Sequence, residues 1–422
     1  MTYTTRLTFN EKSRILLASF SFIEEDYLKV HMVYDAPQGA YHHYCSQLCN
    51  ALITRADITE LRLVAIFGPR DRPDIAPDEL DLLDSRISIQ IIGFWNRYKF
   101  MQYLLFTKNL LKYIWQLLKA CPDIVHIQTP TGAEFFDLFL LLMYRILGIP
   151  VIRTVHEPTA AERIGYPTAF ARFMALLQLR LVNELIVHNS PTCEHLRGWL
   201  GKDNINISII PHGNYLFFRQ YINDEAEASR PDRCPDTTIA LFFGIKRHKG
   251  IEVFVKAIQQ LSKENYPIEA VVVGRVNPGD EDLLEVVKRQ NVIRLHPGHI
   301  PNSELWMVFS KSDFVVMPYI KGTTSGAIHL AYAFKKPVIV SDLEFFRDMV
   351  VHGRTGLITP KGDYVALVEA IRKMCEDKEL RDRMGEEGFR FISSRQYQWD
   401  TIAGQTVQVY QSARRKGFSF GR

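Results

Sequence analysis

Short apolar runs closed by polar or small residues recur along this chain and alternate with longer stretches of helical period. In the first half the runs fall at 63–67, 87–92, 123–127, 151–155, 185–188 and 207–210. A brief continuous apolar run between turn residues suits a strand buried on both faces of a parallel sheet. Residues 14–19 (RILLAS) read as a strand ahead of them, followed by a loop, and 41–52 as a helix. In the second half strands are predicted at 239–243, 269–273, 292–295, 314–317 and 338–340, with a helix running through Leu261. Strands that alternate with helical segments predict an α/β protein with doubly wound parallel sheets, whose ligands bind at the carboxyl ends of the strands. Between the halves, 223–238 (NDEAEASRPDRCPDTT) is polar, holds two prolines and has no apolar period, so it reads as a linker.

Two helical stretches bear on location. In 98–118, Leu104, Leu111, Ile114, Leu117 and Leu118 share one side, flanked by Lys99, Lys108, Lys112 and Lys119. That pattern fits a surface helix with its lysines in water, or a basic amphipathic helix lying on an anionic membrane. The run 135–147 is interrupted by Asp137 and Arg145 and is too short to span a bilayer; it reads as a buried helix.

At 422 residues the chain exceeds what one core comfortably organises, which predicts two domains. The expected division is 1–215, a linker at 216–238, a second domain at 239–395 and a terminal segment at 396–422. The 51 basic and 47 acidic residues leave a net charge of +4, too balanced to indicate nucleic acid. Six cysteines without a CxxC pair argue against a disulfide framework or zinc site and fit a reducing cytoplasm. The N-terminus lacks an apolar signal core. The expectation is a cytoplasmic protein, peripheral on the inner face of the cell membrane if 98–118 lies on lipid.

The candidate chemistry sits at strand ends. After 314–317 comes Gly322-Thr323-Thr324-Ser325-Gly326, a small-residue loop whose hydroxyls are placed to cap the next helix. A glycine-containing loop that opens a helix inside a βαβ unit offers free N–H groups and a positive dipole end to an anion, most often phosphate. The competing reading is a plain turn. Lys246, Arg247 and Lys249 follow the 239–243 strand, in the same sheet as that loop. Together these groups suit a diphosphate: point charges from lysine, a fork from arginine and backbone amides from the helix end. In the first half, Gly39 precedes a helix and can approach a phosphate or an acceptor, or only make the turn. His156, one of four histidines at strand ends with His126, His188 and His212, can bond a sugar hydroxyl or pack in the core.

These residues resemble the retaining, nucleotide-sugar-dependent glycosyltransferases of family 4, which have the GT-B fold. Phe243-Gly244 leading to Lys249-Gly250 is similar to that family's Gly-to-Lys-Gly segment, although about one residue shorter, so Lys246 or Arg247 takes the family's arginine role. Residues 322–342, then Gly353-Arg354-Thr355-Gly356-Leu357 and Asp363, resemble the donor-binding βαβ unit and the turn after it. His156 matches the family histidine near the donor sugar, Pro211-His212-Gly213 matches the end of the first domain, and Trp399 to Tyr410, within 396–422, resembles the terminal helix that returns to the first domain. The resemblance implies donor binding by Gly244, Lys246, Arg247, Lys249, Gly250 and the 322–326 loop, with His156, Lys249 and Arg247 as catalytic residues. It implies hexose transfer from a nucleoside-diphosphate sugar to a glycan or lipid-linked acceptor bound by the first domain, without a catalytic metal or other cofactor. One departure stands out: the family's two donor-site glutamates align with Gly322 and Leu330, and no acidic residue occurs between Asp313 and Asp342. That gap leaves room for a non-catalytic relative that binds nucleotide or a partner. An epimerase or phosphorylase on the same fold is a further alternative.

Overall fold

The computed structural model describes residues 27–35, 39–67, 77–93, 99–131, 134–156, 169–201, 205–222, 237–276, 279–322 and 324–416. The first half runs β1 (Leu28–Tyr34), α1 (Ala40–Ile53), β2 (Ile58–Phe67), α2 (Pro77–Leu80), β3 (Ser88–Gly93), α3 (Lys99–Ala120) and β4 (Ile124–Ile127). It continues with α4 (Glu134–Ile146), β5 (Val151–Thr154), α5 (Ala169–Arg180), β6 (Glu184–Val187), α6 (Ser190–Leu200) and β7 (Asn206–Ile209). The second half runs β8 (Thr238–Ile245), α7 (Ile251–Lys263), β9 (Ile268–Val276), α8 (Asp282–Lys288), β10 (Ile293–Pro297), α9 (Leu305–Lys311) and β11 (Phe314–Met317). Then come α10 (Gly326–Ala333), β12 (Val338–Ser341), α11 (Glu344–Arg347), β13 (Gly356–Thr359), α12 (Tyr364–Glu376), α13 (Lys378–Ser393) and α14 (Trp399–Lys416).

Two all-parallel sheets result, ordered β3-β2-β1-β4-β5-β6-β7 and β10-β9-β8-β11-β12-β13. In each, strand order reverses once, between β1 and β4 and between β8 and β11. Such a switch point opens a crevice beyond the carboxyl ends, because the connections leave toward opposite faces there. The central strands are apolar on both sides; all four residues of β11 and of β12 are buried. Helix α14 crosses back to the first sheet, where Ile402, Val407 and Tyr410 join the core of β1 and α1.

Some expectations change. The strand expected at 14–19 lies outside the described residues, as does most of the 223–238 linker. The central strand β1 was expected to be loop, because Lys29 and His31 break its apolar pattern. His31 is nevertheless buried, and burial followed by the nearby Arg62 charge lowers its pKa to about 4, so it enters the core neutral. Helix α4 is not a buried helix: Phe135 and Ile146 are 70% and 84% exposed. On α3, Leu117 is buried as expected, but Leu104, Leu111 and Leu118 face outward.

Candidate active site

The two switch points face each other across a cleft of about 790 Å³. Its second-domain wall is built from two loops. Gly244 (φ 90°) and Gly274 (φ 124°) take backbone conformations open to glycine, and a Cβ on Gly274 would lie 2.8 Å from the Gly244 Cα. The ends of β8 and β9 can therefore close up. Arg247–Lys249 then forms a 3-10 turn, ended by Gly250 at φ 75°. Gly250 sits against the Pro318 carbonyl, with no room for a Cβ. The Ile320 N–H donates to the His248 carbonyl at 2.8 Å, which ties this turn to the loop after β11.

Lys249 folds back over Gly244, donates from Nζ to the Phe243 carbonyl at 3.1 Å and lies 5.4 Å from the centre of the Tyr319 ring. Lys246 also lines the cleft. Arg247 does not. Its Nη2 donates to both Asp282 oxygens, at 2.6 and 2.8 Å, its Nη1 pairs with Glu252, and its side chain is 45% exposed. Carboxylates at the starts of α7 and α8 hold it outside, so of the two candidates for the family's arginine position only Lys246 reaches the site. Gly250 lies behind the wall and shapes it.

Thr324, Ser325, Gly326 and Ala327 bring the N-terminus of α10 into the cleft, while Thr323 lies outside the described residues. Ser325 occupies the N-cap position, but its hydroxyl meets the Tyr319 hydroxyl at 3.1 Å and caps nothing. The expected hydroxyl cap is thus replaced by a side-chain pair, and no side-chain cap takes the first N–H groups of α10. Lys246, Lys249, Arg275, Lys321 and Lys361 line the cleft, and among the described lining residues there is no carboxylate. Gly322 and Leu330, at the family's glutamate positions, both face this space.

The first-domain wall carries Gly39, Tyr41, His43, His156 and His212, and Tyr215, packed in the second domain's core, borders it. Gly39 (φ 77°) reaches the cleft, but its N–H already donates to Glu79 Oε1 at 3.0 Å and is not available to a phosphate or acceptor. Glu79 is fully buried; its other oxygen lies 3.3 Å from His43 Nε2 and accepts from Asn302 of the second domain at 3.2 Å. Burial pushes this carboxyl up, but the hydrogen bond and charge of His43, the charge of His42 and the Gly39 N–H outweigh it and hold it at about 2.

His156 is nearly buried, with Nδ1 3.0 Å from His188 Nε2 and Nε2 3.0 Å from the Gln128 carboxamide oxygen. His188 Nδ1 lies 3.0 Å from the Ile210 carbonyl and must donate to it, so His188 Nε2 accepts from His156. A neutral His156 then needs a donor at Nε2, which Gln128 supplies once its carboxamide turns end for end. Burial, then His188 and His126, pushes the His156 pKa well below its ordinary value. Neither ring nitrogen is left over for a sugar hydroxyl.

Sequence reasoning missed Glu79, His43, Asn302, His329 and Arg275. Arg275 follows Gly274 at a strand end and was findable by the rule that flagged Lys246. The Glu79–Asn302 contact spans 223 residues and leaves no local signal.

Two doubly wound domains facing across a cationic cleft define a GT-B fold. The model described as Glycosyltransferase Family 4 matches residues 44–214, and Glycosyl transferases group 1 matches residues 227–391. The chain belongs to glycosyltransferase family 4 and is a hexosyltransferase. A phosphatidyl-myo-inositol mannosyltransferase from Mycobacterium leprae is 25% identical over 306 residues, covering 70% of this chain and 75% of its own. The capsular polysaccharide biosynthesis glycosyltransferase CapM of Staphylococcus aureus is 24% identical over 68% of this chain and 76% of its own. Among solved structures, Anabaena Alr3699/HepE in complex with UDP and glucose has a TM-score of 0.70 at 15% identity, over 92% of this chain and 100% of its own.

Proposed function

We propose that this enzyme moves a hexose from a nucleoside-diphosphate sugar to a glycan or lipid-linked acceptor, with retention at the anomeric carbon, in polysaccharide or glycoconjugate biosynthesis. One observation carries the reading. A single wall of the cleft joins Lys246, Lys249 and the uncapped start of α10, and no carboxylate lines the described cleft. That is a diphosphate's environment. As the bond from the anomeric carbon to the diphosphate breaks, its electron pair goes to the leaving oxygen. Lys249, Lys246 and the α10 amides then meet more charge than in the ground state and stabilise the transition state preferentially. The acceptor hydroxyl adds on the same face, and its proton passes to the departing diphosphate, as the family resemblance implies. No metal enters this reading; the lysines supply the positive charge. Thr324 and Ser325 offer hydroxyls and backbone amides beside Gly322, where the family has its first glutamate, and His156 orients the opposite wall through Gln128 and His188. The peripheral membrane contact expected for 98–118 belongs to the same reading, with the lysines of α3 as its carriers.

A thermal-shift series with UDP, GDP, ADP, TDP and CMP tests the donor site, followed by turnover with sugar nucleotides of whichever base stabilises. A ligand at a hundred times its dissociation constant should add about 2.7 kcal/mol. Stabilisation by one diphosphate that Lys249→Ala removes would support the site; no response to any of them would overturn it.

A further inference from the structure

The outer face of α3, α4 and α5 carries more exposed apolar side chain than a surface at rest in water accounts for. On α4, Phe135, Phe139, Leu142 and Ile146 are 70, 46, 42 and 84% exposed. At about 100° per residue they fall within one arc of about 60°. On α5, Phe170 and Phe173 are more than half exposed, and Phe170 meets Phe135 with ring centroids 6.0 Å apart. On α3, Leu104, Leu111, Trp115 and Leu118 form a similar exposed stripe, and Phe106 meets Phe136 at 5.1 Å. These ring contacts set the three helices side by side in one layer, with their exposed stripes on its outer side. Exposed apolar patches of this extent mark interaction sites.

The charges beside it are positive. Helix α3 has four lysines and no acidic residue; Lys108, Lys112 and Lys119 are exposed on the shoulder of its apolar stripe, with Lys119 Nζ 5.0 Å above the Trp115 ring. Of the two acidic residues in α4, Asp137 is buried and accepts from the Thr131 N–H and hydroxyl. No helix of the described residues is long and apolar enough to cross a membrane. An apolar ridge with a basic shoulder matches an anionic lipid surface: acyl chains take the aromatic and aliphatic side chains, and headgroups take the lysines.

We infer that a bilayer containing anionic lipid docks on the joint face of α3, α4 and α5, and that the ridge of α4 and α5 enters the lipid. This rests on the membrane contact proposed for 98–118 and moves its centre from the α3 lysines to the Phe135–Ile146 stripe.

Co-sedimentation of the full chain with vesicles, without substrates, tests it. The vesicles are phosphatidylcholine alone or phosphatidylcholine mixed with phosphatidylglycerol. The wild type should sediment with the mixed vesicles and much less with the neutral ones. The triple variant Phe135→Ser/Phe139→Ser/Ile146→Ser should bind them at least ~10-fold more weakly with an unchanged melting temperature, since all three side chains are already exposed. A triple variant that binds like wild type, while Lys108→Glu/Lys112→Glu/Lys119→Glu fails to bind, would overturn the ridge and leave the α3 contact standing. A wild type that ignores both vesicles would overturn both. Concentration-dependent self-association abolished by the same serines, with no vesicle binding, would assign the face to a second copy of the chain and overturn the lipid proposal.

Discussion

His329, on α10, stacks on His212, just beyond β7, with ring centroids 4.7 Å apart and planes within 28°. The pair joins the two domains where α10 meets the end of the first sheet. His212 also touches His188, and His188 touches His156, so the imidazoles form a continuous buried column. Burial comes first among the causes that lower these pKa values: His188 to about 4, His329 to about 3, and His156 and His212 well below the ordinary value. Two facing rings at this distance cannot both be charged.

That column makes stability depend on acid. Below about pH 6.5 the unfolded chain takes up protons that the folded column refuses. Stability is therefore complete above pH 6.5 and is lost as pH falls toward 4 and then 3. Each histidine titrating only when unfolded contributes a slope of about 1.4 kcal/mol per pH unit. Urea midpoints between pH 8 and pH 4.5 should be level above 7 and fall steeply below 6.5, less steeply in His329→Gln. A level profile to pH 4.5 would show that the rings are protonated within the fold.

Glu79 works at the opposite edge of the same interface. Its carboxylate takes the Gly39 N–H, approaches His43 and accepts from Asn302 across the cleft. Removing one partner of a buried charged group leaves the others unsatisfied and costs about 3–5 kcal/mol. Glu79→Ala should lower stability by roughly that amount, measured by urea unfolding. Asn302→Ala should cost about 1–3 kcal/mol. A Glu79→Ala protein as stable as wild type would mean that water replaces the carboxylate. Glu79 has a folded pKa of about 2, below its ordinary value, so its contribution is complete above about pH 4.5 and lost only as pH falls through 2. The histidine loss comes first on acidification.

Much of the frame was readable because parallel strands buried on both faces leave uniform apolar runs, as at Phe314–Met317 and Val338–Ser341. The strand-end rule then located Gly244, Lys246 and Lys249. It failed where a side chain's direction mattered more than its position. Arg247 lies between two cleft lysines in sequence, yet α7 and α8 offer it carboxylates and draw it outward. The periodicity of α3 and α4 reveals apolar stripes but not which side the sheet covers; Tyr113 and Leu117 take the sheet side of α3, which turns Leu111 and Leu118 out. Strand β1 was hidden by His31, because a neutral buried imidazole looks polar in sequence. Contacts such as His43 with Asn302, 2.9 Å apart and 259 residues distant, arise only when the domains meet.

Gly250 has two demands on it: a left-handed φ of 75° and contact with the Pro318 carbonyl. Gly250→Ala meets neither, so either the 3-10 turn opens or the loop after β11 moves away. Strain at such a position costs of order 1–3 kcal/mol. Thermal unfolding should show that loss, and donor affinity should fall with it because Ile320 and His248 would part. Gly279 also has a positive φ, but open space where its Cβ would lie. Gly279→Ala should therefore cost less, and equal costs would remove the Pro318 contact from the account.

Lys249 and Arg247 provide the sharpest comparison, since they stand two positions apart and carry the same charge. Lys249 Nζ sits over Gly244 inside the cleft, held by the Phe243 carbonyl. The Arg247 guanidinium is neutralised outside it by Asp282 and Glu252. If charge on the leaving diphosphate is stabilised at this wall, Lys249→Ala should lower kcat by roughly 10²–10³, equivalent to about 2.7–4 kcal/mol, with unfolding unchanged. Arg247→Ala removes exposed ion pairs worth little to stability, so its kcat should stay within a few-fold of wild type. The pair distinguishes local geometry from general positive charge: a long-range field would respond alike to the loss of either cation. Equal losses in the two variants would shift the mechanism toward that field, and a large loss only in Arg247→Ala would place the diphosphate on the outer side of the 3-10 turn.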